Sequence, residues 1–128
     1  MNLQDKLLTM LTNKILDQEI SESTTSTSKI DKYVLGKKVI IRTYSAGVHF
    51  GEVIEKEGNE IILKNSRRLY RWHTANNGVS LSEVANVGLA TDSKVCSPVD
   101  ILWLQPIEII LCTEIAIKNI EAQNEYKA

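Results

Sequence analysis

Eight consecutive residues, Ser21 to Ser28 (SESTTSTS), contain no apolar side chain, and the apolar residues on either side of them recur with different periods. A chain divided this way is expected to fold as two pieces joined by a polar tether. Before the divide, Leu3, Leu7, Leu8, Leu11, Ile15, Leu16 and Ile20 fall on one stripe at helical spacing, which predicts an amphipathic helix over residues 1–20. The tether is taken as residues 21–31. Beyond it the period shortens to that of strands, and residues 32–124 are expected to form the folded body.

Leaving the N-terminal stripe in water would expose several leucines at about 1.5–3 kcal/mol each, so it needs a partner surface. A flexible eight-residue linker reaches about 15 Å, enough to cross to a neighbouring copy. Leu3, Leu7, Leu11 and Ile15 are therefore the expected contacts of a homo-oligomer. A membrane surface fits less well, because Asp5, Asp17 and Glu19 share the polar face with only Lys6 and Lys14.

In the body, Val39–Tyr44 (VIIRTY) is β-branched and aromatic, Val48–Lys56 follows a small-residue turn, and Glu60–Lys64 follows Glu57-Gly58-Asn59. This is a three-strand meander, with Gly51 marking a bulge or bend. A separate fourth strand is expected at Arg68–His73, with Arg68, Tyr70 and Trp72 on one face and Leu69, Arg71 and His73 on the other. Ser80-Leu81-Ser82-Glu83 reads as a capping box before a short helix over 81–87 that Gly88 stops. Strands at Asp100–Leu104 and Ile107–Cys112 flank Gln105-Pro106, Thr113 can cap a final helix over 114–122, and the tail from Gln123 is expected to fray. The fold class is mainly β with flanking helices: a small SH3-like or Sm-like β-barrel or roll, with an N-terminal amphipathic helix and a C-terminal helix. An open α+β sheet is the competitor.

Charge is distributed unevenly along the chain. Residues 1–28 hold two basic against four acidic side chains (net −2), residues 29–73 ten against five (+5), and residues 74–128 three against seven (−4). The basic middle contains every arginine, and a local positive surface of this kind suits an anionic partner. Arg67, Arg68, Tyr70, Arg71 and Trp72 interleave guanidinium forks with aromatic faces, which serve to bind phosphate and to stack on bases. Arg42, Tyr44 and Gly47, at the end of the first strand, offer a second such group where a loop backbone can approach a ligand. The bland reading is that Leu69, Tyr70 and Trp72 pack in the core while the arginines are solvated or paired with the acidic C-terminal third, and that Gly47 serves only its hairpin.

Chemistry of other kinds is not encoded in any recognisable pattern. Cys96 and Cys112 are far apart and each lies in an apolar run, so both read as reduced, packed thiols, and no metal-ligand spacing or phosphate loop occurs. His49, His73, Ser45 and Ser66 form no recognised catalytic signature, and neither a catalytic residue nor a cofactor is expected. The first sixteen residues lack a secretory pattern and no apolar run approaches the roughly 20 residues of a membrane span, so a cytoplasmic protein is expected.

Four runs carry a family resemblance: RTYSAGV (Arg42–Val48) with Gly51 after it, the N-x-R-R-L-Y-x-W run (Asn65–Trp72), LSEVA (Leu81–Ala85), and IEII-x-CTE (Ile107–Glu114). Through them Gly36–Cys112 resembles a family of small phage and prophage proteins known as a domain of unknown function. The N-terminal helix and linker fall outside the resemblance. It implies a viral origin and supplies no catalytic residue. Small phage proteins often act by binding a component of host defence, so the expectation is a non-enzymatic binding protein that sequesters an anionic nucleotide signal or a short RNA in the host cytoplasm. An inhibitor that docks on a host protein through its sheet surface is the alternative, and a nucleotide hydrolase is the third reading.

Overall fold

The computed structural model describes residues 29–127. The expected N-terminal helix, with Leu3, Leu7, Leu11 and Ile15, lies outside the described residues. The chain divides into units Met1–Lys32 and Tyr33–Ala128. Of the first, the described part is one helical turn, α1 (Lys29–Lys32), within the stretch expected to be tether.

The second unit opens with an antiparallel meander of β1 (Lys38–Thr43), β2 (Val48–Glu57) and β3 (Glu60–Arg71). After β3 come α2 (Leu81–Val87), β4 (Lys94–Cys96), β5 (Val99–Leu104), β6 (Pro106–Leu111), α3 (Glu114–Glu121) and β7 (Glu125–Tyr126). The strand order is β6-β1-β2-β3-β4-β7, and β5 pairs with β3 beside β4. All pairs are antiparallel except β4 with β7, so the sheet is mixed.

The connection between β5 and β6 bends the sheet. Leu104 of β5 lies against Ile61 of β3, and Pro106 of β6 lies against Thr43 of β1. In a flat sheet those outer strands would stand four spacings, about 19 Å, apart. Only Gln105 separates them in the chain, which limits the gap to about 7 Å. The sheet must therefore curl until its two sides meet at that corner. It does not close. Four successive antiparallel ladders separate β6 from β5, so the two run in the same direction and could meet only as a parallel pair, for which a one-residue connection is far too short, and among the described residues no ladder joins them. Among the described residues the expected SH3-like or Sm-like barrel is thus an open, curled sheet of seven strands.

Curling buries β1 on both faces. Val39 and Ile41 pack with Val53, Ile61, Leu63 and Leu104 inside the curl, whereas Ile40 packs with Phe50, Leu69 and Val95 under α2 and α3. None of these three β1 side chains retains solvent exposure. At about 1.5–3 kcal/mol for each buried side chain, this strand joins two cores into one cooperative body.

The helices are placed by specific polar contacts. Ser80 accepts from Glu83 N at 3.4 Å, but the other half of the expected capping box is absent, because the Glu83 carboxylate accepts instead from the hydroxyl of buried Thr74. Thr113 caps α3 by accepting from Ala116 N at 3.1 Å. From α3, Asn119 brackets Leu89: Oδ1 accepts from Leu89 N at 2.7 Å and Nδ2 donates to Leu89 O at 3.1 Å. A Cβ at the preceding Gly88, whose φ is +89°, would lie 2.4 Å from Asn119.

Candidate nucleic-acid interface

The two strand segments expected at Glu60–Lys64 and Arg68–His73 are one strand. Asn65, at φ 51°, carries β3 through the left-handed region, which asparagine tolerates better than most residues. Gly51 faces this point across β2, where a Cβ would lie 3.2 Å from both Leu63 Cβ and Ser66 Cα. Both strands bend here, and the β2–β3 register shifts between Phe50 and Glu52.

Beyond the bend the arginines separate. Arg67 points under the helices, and only 4% of its surface is exposed. Its guanidinium donates to the carbonyls of Cys96 at 2.9 Å, Ile120 at 2.9 Å, Gln123 at 3.0 Å, Val95 at 3.3 Å and Asn124 at 3.5 Å. It thereby ties β4 and the end of α3 to β3. Burial lowers its pKa from the ordinary arginine value, and the nearby Glu125 carboxylate opposes that shift. The expectation that Arg67 contacts a phosphate is corrected, because its donors are spent on backbone carbonyls.

Arg68 is exposed, across the ladder from His49. Histidine 49 is buried and its Nε2 lies 2.7 Å from Ala46 O; burial first, and the Arg68 charge to a smaller extent, lower its pKa. A register shift between Leu69 and Arg71 then sets Arg71 opposite Lys94 of β4, so strict alternation fails. Trp72, expected beside Arg68 and Tyr70, packs half-buried against the Leu69 core instead. Tyr70 remains 62% exposed.

Tyr70 does not stand alone. Its ring stacks on Tyr126 of β7, with centroids 5.7 Å apart and an interplanar angle of 17°. Lys94 Nζ lies 5.0 Å from the centroid of the Tyr126 ring, within cation–π range. Among the described residues, Arg68, Arg71 and Lys94 take part in no ion pair. The result is an aromatic step, exposed at Tyr70 and half-buried at Tyr126, on the face that carries exposed Arg68 and Arg71 and half-buried Lys94. Neither Lys94 nor Tyr126 is picked out by sequence reasoning. Tyr126 lies in the tail expected to fray, which pairs with β4 as a parallel strand because Arg67 holds the carbonyls leading into it.

The second expected group lies apart. Arg42 is on β1 with its Nε 3.2 Å from Glu108 of β6, and alternation puts it on the face of Ile40, opposite to Arg68. Tyr44 is 91% exposed at the β1–β2 turn, and Gly47 has φ +87°. Gly47 O closes that turn by accepting from both the backbone N and the side-chain hydroxyl of Thr43, at 3.1 and 2.8 Å.

Cavities elsewhere do not serve this face. One of about 430 Å³ is lined by Gly36, Lys37, Lys38, Leu111, Cys112, Glu114 and Ile117. Another, of about 300 Å³, holds Glu121 and Glu125 beside Arg67. Both cysteines are free thiols, and burial pushes that of Cys112 up to about 12. Among the described residues no group of three His, Cys, Asp or Glu side chains could hold a metal ion, and no helix is long and apolar enough to cross a membrane.

Fold and surface together define a small curled-sheet protein with a solvent-facing basic and aromatic patch. The family described as Domain of unknown function (DUF6948) matches residues 36–120, and the chain belongs to it. Arg68, Tyr70, Arg71 and Lys94 fall inside the matched span and Tyr126 outside it. No curated protein and no solved structure matches the chain.

Proposed function

We propose that this is a non-enzymatic, phage-type binding protein that captures a short single-stranded RNA, or a smaller nucleotide signal of the same chemistry, as a counter-defence factor. The observation that carries the reading is exposed Tyr70 stacked on half-buried Tyr126, with Lys94 over the Tyr126 ring and Arg68 and Arg71 unpaired on the same face. Bases stack on aromatic faces for about 1–3 kcal/mol each, and free cations meet the phosphates. Stacking on Tyr126 leaves the outer face of Tyr70 for a base, while Lys94 lies over the Tyr126 ring and the cations supply attraction without sequence preference.

Between polymer and mononucleotide, the shape of the site favours the polymer. Tight capture of a small ligand requires a concavity that covers most of its surface. The patch is a face of a sheet, so a single nucleotide would keep much of itself in water. A strand of several nucleotides gains affinity by repeating the contact. Titration of a short single-stranded RNA and of a mononucleotide at low and high salt tests this. RNA binding that weakens steeply with salt and falls about 5- to 100-fold in Tyr70→Ala is expected. Binding that ignores salt, or that Tyr70→Ala leaves intact, would overturn the assignment of this face.

A further inference from the structure

The outer side of β5 carries a second surface, unrelated to the basic patch. β5 hydrogen-bonds to β3 along one edge, and among the described residues its other edge pairs with nothing. Val99, Ile101 and Trp103 alternate on its outward face and are 48%, 54% and 52% exposed. Trp103 stands opposite Ile62 of β3, and its Nε1 donates to Glu60 Oε1 at 3.1 Å, which holds the indole in place. Exposed strand edges are ordinarily blunted by lysines, prolines or several charges. Along β5 the only charge is Asp100, and the nearest proline is Pro98, before the strand begins.

The order of side chains says what covers this edge. Read in either direction from Ile101, the outward residues are apolar: Val99 on one side and Trp103 on the other. An antiparallel pair of β5 strands related by a two-fold axis at Ile101 sets Ile101 opposite its own copy and Val99 opposite Trp103, twice. That register matches a small side chain with a large one and gives each of the three exposed residues of each copy an apolar cross-strand neighbour. Centring the pair on Asp100 would put two carboxylates directly opposite. Centring it on Leu102 would leave Val99 facing Gln105.

We infer that a second copy of this chain occupies the β5 edge, continuing the sheet through an isologous β5–β5 pair centred on Ile101. Such a two-fold contact is the commonest way soluble chains associate. It is separate from the expected contacts of Leu3, Leu7, Leu11 and Ile15, and it needs nothing from the RNA-binding reading.

The test uses the full chain. Directly opposed residues of an antiparallel pair have Cβ atoms about 4.5–5.5 Å apart, close to disulfide range. Ile101→Cys should therefore form a covalent dimer under mild oxidation, and Ile115→Cys, on the exposed side of α3 at 70% exposure, should not. Light scattering of the wild type should show a dimer whose dissociation constant rises more than about tenfold in Ile101→Lys, with the thermal transition of the subunit retained. Three results would overturn the proposal: a wild type that stays monomeric as concentration is raised, cross-linking no faster at 101 than at 115, or an undiminished dimer in Ile101→Lys. The last would place the interface on the N-terminal stripe, and a monomer that instead binds a strand of another protein would assign the edge to that partner.

Discussion

From Glu60 to Lys64, β3 follows the simplest strand rule: Ile61 and Leu63 face the inside of the curl, and Ile62 and Lys64 face out. From Ser66 to Arg71 the same strand buries one arginine, exposes its neighbour, and turns Arg71 to the side of Lys94. Both halves lie in a ladder with β2, so hydrogen bonding does not account for the difference. Bends do: Asn65 with Gly51 at the junction, and the register shift after Leu69, each reset which side chains point inward. Residue type predicts facing only while the backbone keeps its period. The regular half presents an apolar edge through β5, and the irregular half presents cations and aromatics.

The largest effect should separate the adjacent arginines. Arg67→Met removes the donor shared by five carbonyls, two of them bonded where the chain is buried. At about 1–3 kcal/mol for each buried group left without a partner, a loss of about 3 kcal/mol or more in urea denaturation is expected. Arg68→Ala, on the exposed side, should change stability by less than about 0.5 kcal/mol while weakening RNA binding and lowering its salt dependence by about one counterion. Equal stability losses in the two variants would break the comparison.

The junction itself comes next. Asn65→Val forces a β-branched residue into the left-handed region and should cost about 1–2 kcal/mol, whereas Asn65→Gly should be tolerated. Gly51→Ala needs no unusual φ but must push backbone and Leu63 aside, so about 1–3 kcal/mol is expected. Thermal unfolding of the three variants checks the order. If Asn65→Val matched wild type, the bend would not depend on that residue.

A smaller effect lies at His49, in the ladder row of Arg68. Its pKa in the fold is below the ordinary 6.5, so the unfolded chain takes up a proton first as pH falls. Stability from this group is complete above 6.5 and is lost progressively as pH descends through the lowered folded pKa. Unfolding free energy measured from pH 7.5 downward should fall across that window, and His49→Gln should flatten the fall relative to wild type. The smallest effect belongs to Arg42. Its pair with Glu108 is about half exposed on both sides, so Arg42→Ala should cost no more than about 0.5 kcal/mol and leave RNA affinity nearly unchanged.

Local chemistry made much of the architecture readable from residues alone. β-branched runs between glycine turns yield the meander, and Thr113 and Ser80 accept the helix-terminal N–H groups that their side chains suit. Such features depend on neighbours three or four positions away, which a sequence contains in full. The basic and aromatic character of the 67–72 run was equally plain. Which of its members meet solvent was settled by contacts between distant parts of the chain: Arg67 finds carbonyls at 95, 96, 120, 123 and 124, Trp72 finds the core after a bulge, and Tyr126 finds Tyr70 from a tail that local propensity would leave loose. The same holds for the open sheet, since one residue at Gln105 links strands that belong to opposite sides of the curl. A one-residue shift in a strand exchanges its faces, and only the completed fold determines where such shifts fall.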